Sequence, residues 1–239
     1  MRGVTGERSS HAVTQPEWVA PMLATLTEDR FSDPDWLYER KLDGERCLVF
    51  RTSGGVRLLS RNRKELNNHY PELVEALAEQ ANQDFVVDGE IGAFDGGRTS
   101  FSRLQGRMQV NDPDAARRTG VKVFLYVFDI LRLDGDDLTG LPLRRRKALL
   151  RGALEYGGPL RFTPHRIGNG VAYWEDALPP GLGRSDRQAG CRNLYQRPLQ
   201  GLAEVQVRHR AGVRDRRIHR SSRQPTRVRR TADRLLRER

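Results

Sequence analysis

Residues Glu39-Arg40-Lys41-Leu42-Asp43-Gly44-Glu45-Arg46 decide the fold. They follow a short apolar-rich run that opens at Trp36 and precede a second one, Cys47 to Thr52. The octet therefore reads as the end of one strand, a tight polar turn, and the start of the next. Gly44 allows that turn because glycine has no Cβ to clash with nearby backbone.

Working outward, more short runs bounded by Gly, Asp or Asn follow: Val56 to Ser60, Phe85 to Phe94 and Val121 to Leu133, with Trp36 to Lys41 as the first of the series. Ser53-Gly54-Gly55 between two of them is a hairpin turn, so that pair is antiparallel. Between the strands, Leu73, Leu77 and Ala81 recur at helical spacing and predict a helix over Tyr70 to Ala81, with Pro71 accommodated in its first turn. A second helix is predicted from Leu143 to Glu155, stopped by Gly157-Gly158. Antiparallel strands with a few helices between them indicate an α+β domain.

The chain has 239 residues and a net charge of +11, but the charge is unevenly placed. Leu178 to Arg239 holds 17 arginines and no lysine against 5 acidic residues, so residues 1 to 177 are close to neutral. The same tail lacks Phe and Trp and shows neither helix nor strand periodicity. Such composition buries too little apolar surface to offset its ordering entropy, and disorder is expected there. The organisation predicted is a loose segment over 1–17, one domain over 18–177, and an Arg-rich tail over 178–239. Cys47 and Cys191 are far apart and form no metal-ligand pair, which excludes a disulfide scaffold or zinc site on this pattern. No apolar run is long enough to cross a bilayer or to serve as a signal peptide, so a cytoplasmic, non-membrane protein is expected.

For an amine such as that of Lys41 to attack phosphorus it must be neutral, which requires desolvation or a neighbouring cation. Arg46 offers such a cation, and its planar fork suits ribose or phosphate oxygens. The octet resembles motif I of the covalent nucleotidyltransferases, which comprise ATP-dependent DNA ligases, RNA ligases and capping enzymes. With Pro21 to Leu26, PMLATL, it is most similar to bacterial end-joining DNA ligases of the ligase D type.

The resemblance implies that Lys41 forms a lysyl-AMP bond and that Glu39 contacts the adenine. Further segments match in the family's order. Leu59-Ser60-Arg61-Asn62 is similar to the next motif, directing Arg61 to ribose or phosphate. Val86-Val87-Asp88-Gly89-Glu90-Ile91 resembles motif III, in which Glu90 holds the ribose hydroxyl or a divalent metal. Tyr126-Val127-Phe128-Asp129 resembles the motif whose aromatic ring, here Phe128, stacks on adenine. Phe101 to Arg107 also resembles a family segment that could touch substrate. The implied fold is two antiparallel sheets flanked by helices, with the nucleotide between them. Implied too are ATP, Mg²⁺ or Mn²⁺, a nicked or broken DNA duplex as substrate, end-bridging repair partners, a monomeric state and a place at the bacterial nucleoid.

The pattern breaks after residue 177. The family's Glu-Gly-hydrophobic-hydrophobic-x-Lys segment and its lysine-x-lysine motif are missing, and no lysine follows Lys147. The domain is therefore expected to be incomplete at its C-terminal side and the chain to be a defective ligase. The genetic code offers a reason. Gly181 to Ala189 admits codons that, read one base later, spell GWDGLIAKR. Arg197 to Val207 admits codons that spell GRSKDWLKFKC in the same offset. A frameshift near Ala177 is inferred. Two other functions fit parts of the chain: an RNA ligase or capping-type enzyme sharing Lys41, or a non-catalytic nucleic-acid binder acting through the Arg tail.

Overall fold

The computed structural model describes residues 15–23, 31–96, 98–176 and 194–198. In chain order the elements are β1 (Trp36–Arg40), β2 (Glu45–Thr52), β3 (Gly55–Ser60), α1 (Pro71–Ala78), β4 (Phe85–Asp95) and β5 (Arg98–Thr99). Then come α2 (Phe101–Met108), α3 (Pro113–Arg118), β6 (Val123–Leu133), β7 (Asp136–Asp137) and α4 (Leu143–Ala153). The last are β8 (Leu160–Phe162), β9 (His165–Ile167), α5 (Gly170–Asp176) and β10 (Leu194–Pro198).

The strands form two sheets. The larger runs β3-β2-β4-β6-β7, with β5 added to β4 and β8 to β6; the smaller runs β10-β1-β9. All pairs are antiparallel except β6 with β8. That pair is parallel because α4 lies between the two strands and carries the chain back, as a crossover connection must.

Alternation along the strands separates the two faces of the larger sheet. Cys47, Val49, Val87, Ile91, Val127 and Ile130 point to one face, where Leu73 and Leu77 of α1, Leu104 of α2 and Leu149 and Leu150 of α4 close the main core. Full burial of each such aliphatic side chain contributes roughly 1.5–3 kcal/mol. Leu48, Phe50, Leu59, Val86 and Leu131 point to the opposite face and form a smaller cluster, covered by Trp18 and Val19. The segment carrying these two residues is pinned at its start by Gln15, whose Nε2 donates to Arg51 O, Asp84 Oδ1 and Phe85 O. Order was expected from near Trp18, and the described residues begin three positions earlier.

The five predicted strands and both predicted helices are present, each trimmed or extended at the ends. α1 stops at Ala78 rather than at residue 81, and α4 at Ala153, where Leu154 turns extended. The short elements α2, α3, β8, β9 and α5 were not anticipated. The expectation of a wholly disordered tail meets one difference, since Leu194–Pro198 pairs with β1 along its full length. Strand pairing rests on main-chain hydrogen bonds and needs no apolar periodicity, which is why the composition did not reveal it. The other residues of the tail, Cys191 among them, lie outside the described residues.

Candidate active site

The turn between β1 and β2 is pressed against β4. A Cβ at Gly44 would lie 2.0 Å from Ile91 O and 3.2 Å from Glu90 Cγ, so only glycine fits without moving the turn. Lys41 lies in this turn, just beyond β1, and the turn leads into Arg46, on the face of the larger sheet opposite the main core. Lys41 is half-buried, and among the described residues it forms no hydrogen bond or ion pair.

On that face β2 and β4 run side by side, with Arg46 opposite Glu90. Arg46 donates Nε to Asp88 Oδ1 and Nη2 to Asp88 Oδ2, both at 2.5 Å, and Nη2 also reaches Met22 O at 3.0 Å. Asp88 is completely buried, and a bidentate arginine is the partner that makes such burial tolerable. The sequence reading aimed the Arg46 fork at ribose or phosphate, whereas here that fork is turned onto Asp88.

Phe128 lies under the guanidinium, with Arg46 Cζ 4.7 Å from the ring centroid. It falls between two paired positions of β6, since Asp88 pairs with Asp129 and Gly89 with Val127, and it is therefore the extra residue of a β-bulge. The bulge gives Phe128 and Asp129 different surroundings. Asp129 is held by Arg146 of α4 through Nε to Oδ1 at 2.8 Å and Nη2 to Oδ2 at 2.9 Å.

Glu90 is mostly buried, and its carboxyl is pushed up to about 7. Burial is the main cause, opposed by Arg46 and a backbone hydrogen bond from Gly44 and assisted by Asp88 and Asp43. Among the described residues no three acidic, histidine or cysteine side chains gather into a metal cage. With both Asp88 oxygens held by Arg46, Glu90 is the carboxylate on this face that could contribute to Mg²⁺ binding, an ion often held by one or two carboxylates and phosphate oxygens.

Glu39 is 2% exposed and forms an ion pair with Lys147 of α4, itself 2% exposed. Its neighbour across the ladder is His165 of β9. Burial drives the His165 imidazole down to about 4, reinforced by Lys147 and Arg151 and opposed by Glu39. Arg61 stands apart from this group. It is exposed in the turn that follows β3, and among the described residues it forms no hydrogen bond or ion pair. Arg46, Glu90 and Phe128 thus share one face of the larger sheet, Lys41 lies in the adjoining turn, Glu39 is held on β1 by Lys147, and Arg61 is not joined to them. Sequence reasoning assigned no role to Asp88 or Lys147, although a charged residue inside the apolar run Phe85 to Ile91 was a signal for the first.

The chain is similar to known proteins of one family. Residues 21–178 match the model of the ATP dependent DNA ligase domain. The chain is 35% identical over 159 residues to the multifunctional non-homologous end joining protein LigD of Pseudomonas aeruginosa, covering 65% of this chain and 18% of that protein. It is 34% identical over 151 residues to DNA ligase C2 of Mycolicibacterium smegmatis, covering 61% of this chain and 41% of that one. The chain thus spans well under two thirds of the curated relatives it matches. Among solved structures, the ligase domain of M. tuberculosis LigD superposes with a TM-score of 0.55 at 27% identity, over 80% of this chain and 59% of that one. A mycobacterial DNA ligase D complexed with ATP and MES gives a TM-score of 0.54 at 27% identity, over 80% and 60%. No helix among the described residues is long and apolar enough to cross a membrane. The match of the family model over residues 21–178 leads to one conclusion: the chain belongs to the ATP-dependent DNA ligase family and carries its adenylation domain.

Proposed function

We propose that ATP binds in the cleft between β1 and the larger sheet and that Lys41 Nζ attacks its α-phosphorus. The nitrogen–phosphorus bond forms as the bond to pyrophosphate breaks, the amine losing its proton, and AMP is left on Lys41. The reading assigns Glu39 to the base, Phe128 to stacking on it, and Glu90 to the ribose or to a divalent cation. Arg46 acts by fixing Asp88 and by its charge, and Arg61 is assigned to phosphate at the cleft's outer rim. A divalent ion would offset phosphate charge as the bond breaks. The observation that carries the reading is the close approach of Gly44 to Ile91, which brings the lysine-bearing turn against the Arg46, Glu90 and Phe128 face.

The substrate proposed for the adenylate is the 5′-phosphate of a nicked or broken DNA duplex, and the work is end joining in bacterial DNA repair. End-bridging proteins are the proposed partners of a monomeric enzyme at the nucleoid. We propose further that residues 18–177 are the functional unit and that 178–239 are read in a shifted frame, leaving the site short of its phosphate-binding lysines. Transfer of label from α-labelled ATP to the protein tests the central step. In a chain restored to frame, label is expected without substitution and with Lys64→Ala, and none with Lys41→Ala; equal labelling of the restored Lys41→Ala chain would overturn the assignment.

A further inference from the structure

The turn that carries Lys41 is tied to the main core by a directed hydrogen bond. Tyr70 Oη donates to Glu45 Oε2 at 2.6 Å, joining the residue that opens α1 to the first residue of β2. Glu45 stands opposite core residue Ile91 on β4, so its carboxylate lies on the core face, while the Arg46 guanidinium lies on the other face with Asp88. Tyr70 is wholly buried, and its ring packs within the main core. Burial first and the Glu45 carboxylate second push its phenol above the ordinary value, so the hydroxyl remains a donor.

Tyr70 is itself firmly placed. Its N–H donates to Leu66 O at 3.2 Å, and its carbonyl accepts from Leu73 N at 3.0 Å. The residues around it are gripped by Arg107 of α2, 1% exposed, which donates Nε to His69 O at 2.7 Å and Nη2 to both carboxylate oxygens of Glu72. Residues 44–46 are thus fixed together: Gly44 against Ile91 O, Glu45 by Tyr70, and Arg46 by Asp88. On the other side of Lys41, β1 is held by its ladders to β9 and β10. Between these anchors Asp43 N reaches Thr99 Oγ1 at 3.4 Å, a long and exposed hydrogen bond. The placing of Lys41 therefore depends on the anchors.

A carboxylate on the inward face of a strand carries a desolvation cost that an apolar residue there would avoid. What it adds is direction, because a hydrogen bond sets distance and angle where apolar contact does not. We propose that Tyr70 is a positioning residue for the transfer of AMP to Lys41: acting through Glu45, its hydroxyl holds the turn where the Lys41 amine can reach the α-phosphorus. The inference rests on the reading that Lys41 is the nucleophile. Reacting atoms must approach to roughly 3–3.5 Å, and a misplacement of about 1 Å can cost on the order of a hundredfold in rate. Tyr70 and Glu45 lie on the opposite face of the sheet from Arg46, Glu90 and Phe128, so their loss should slow the transfer without weakening ATP binding.

The test is single-turnover labelling over a range of α-labelled ATP concentrations, in whichever of the 239-residue chain and the chain restored to frame labels faster, with Tm measured on every variant. Tyr70→Phe should lower the maximal rate roughly 10- to 100-fold, while the ATP concentration giving half that rate stays within about twofold. Glu45→Val should do the same, and adding Tyr70→Phe to it should cost no more than about a further twofold, because both act through one bond. Glu45→Gln keeps an acceptor for the phenol and should recover most of the rate lost in Glu45→Val. A folded Tyr70→Phe chain with the parent's maximal rate would overturn the inference, whatever its Tm. Additive losses in the double variant, or a loss confined to ATP half-saturation, would do the same. If Tyr70→Phe is unfolded at the assay temperature, Glu45→Val decides by the same criteria. Absence of label on both unsubstituted chains would instead remove the reading of the lysyl-AMP step, and this inference with it.

Discussion

The guanidinium carbon of Arg46 lies 4.7 Å from the centroid of the Phe128 ring, within the range of a cation–π contact. The ring proposed to stack on adenine is therefore already capped on one side by a cation that is itself locked to buried Asp88. A base arriving from the cleft meets a ring whose position is set before binding, which lowers the ordering needed on association.

Replacing Phe128 by leucine separates stacking from packing. Phe128 is 5% exposed, so truncation to alanine would open a cavity and confuse the two effects. Phe128→Leu keeps most of the volume and removes the π-face. ATP binding should weaken roughly tenfold, in line with about 0.5–1.5 kcal/mol for an aromatic pair, while Tm moves by only a few degrees. Titration calorimetry beside thermal unfolding reads both; unchanged affinity would return Phe128 to the core.

Gly44→Ala should damage the turn more than its size suggests. The added methyl meets Ile91 O at 2.0 Å, which is backbone and cannot rotate away. The turn must shift, at about 1–3 kcal/mol of stability, and Lys41 shifts with it. Chemical denaturation should show a lower midpoint at unchanged slope, and self-adenylylation should fall by more than tenfold. A variant with parent activity would mean that the turn does not position Lys41.

Glu90 gives a pH-dependent signature. Its folded value of about 7 stands above the ordinary 4.5, so the folded chain binds the proton more tightly than the unfolded one. Its contribution to stability is full below pH 4.5 and is lost as pH rises through 7. The whole difference corresponds to about 3 kcal/mol as an upper figure. Glu90→Gln should therefore raise Tm relative to the parent at pH 8 and match it near pH 4.5. His165 acts in the opposite sense, losing stability as pH falls from 6.5 toward 4, but it is common to both chains and cancels in the comparison. Mg²⁺ with ATP should stabilise the parent at pH 8 and the Glu90→Gln chain less. Equal stabilisation would remove Glu90 as a metal-binding group.

The shifted frame is open to a direct measurement. Resequencing across codon 177 should reveal one missing or extra base, and a chain restored to frame should label itself with AMP at least a hundredfold faster than the 239-residue chain. That margin follows from the roughly hundred- to thousandfold effect of losing one group that stabilises a developing oxyanion. An intact frame together with labelling at the restored rate would sink the proposal.

What the sequence made legible was whatever alternation and spacing express locally. β2 to β4 and β6 alternate cleanly or run apolar on both faces, and the octet around Lys41 carries its chemistry in plain order. The short helices were hidden for a different reason. α2 and α3 are only eight and six residues long, so periodicity has nothing to act on. Their caps were the available signal: Ser100 Oγ accepts from Arg103 N, and Asp112 caps Ala115 N ahead of Pro113. β8 and β9 are three residues each and exist only because β6 and β1 offer them an edge. The site showed the same limit. Glu39 and Lys147 are 108 residues apart, and no local pattern announces that a buried carboxylate near the start of a domain is neutralised from a helix near its end.

That separation has a consequence for how the molecule is made. Residues 45–133 complete the β3-β2-β4-β6 succession from segments that emerge one after another, so the larger sheet can assemble while synthesis continues. β1 emerges first and yet waits for β9, Lys147 and β10, all of which arrive more than a hundred residues later. At ordinary translation rates this interval is on the order of ten seconds, during which the strand leading into Lys41 has no sheet to join. An error in the last quarter of the message would then spare the main core, β9 and Lys147, and reach the nucleophile's strand only through β10.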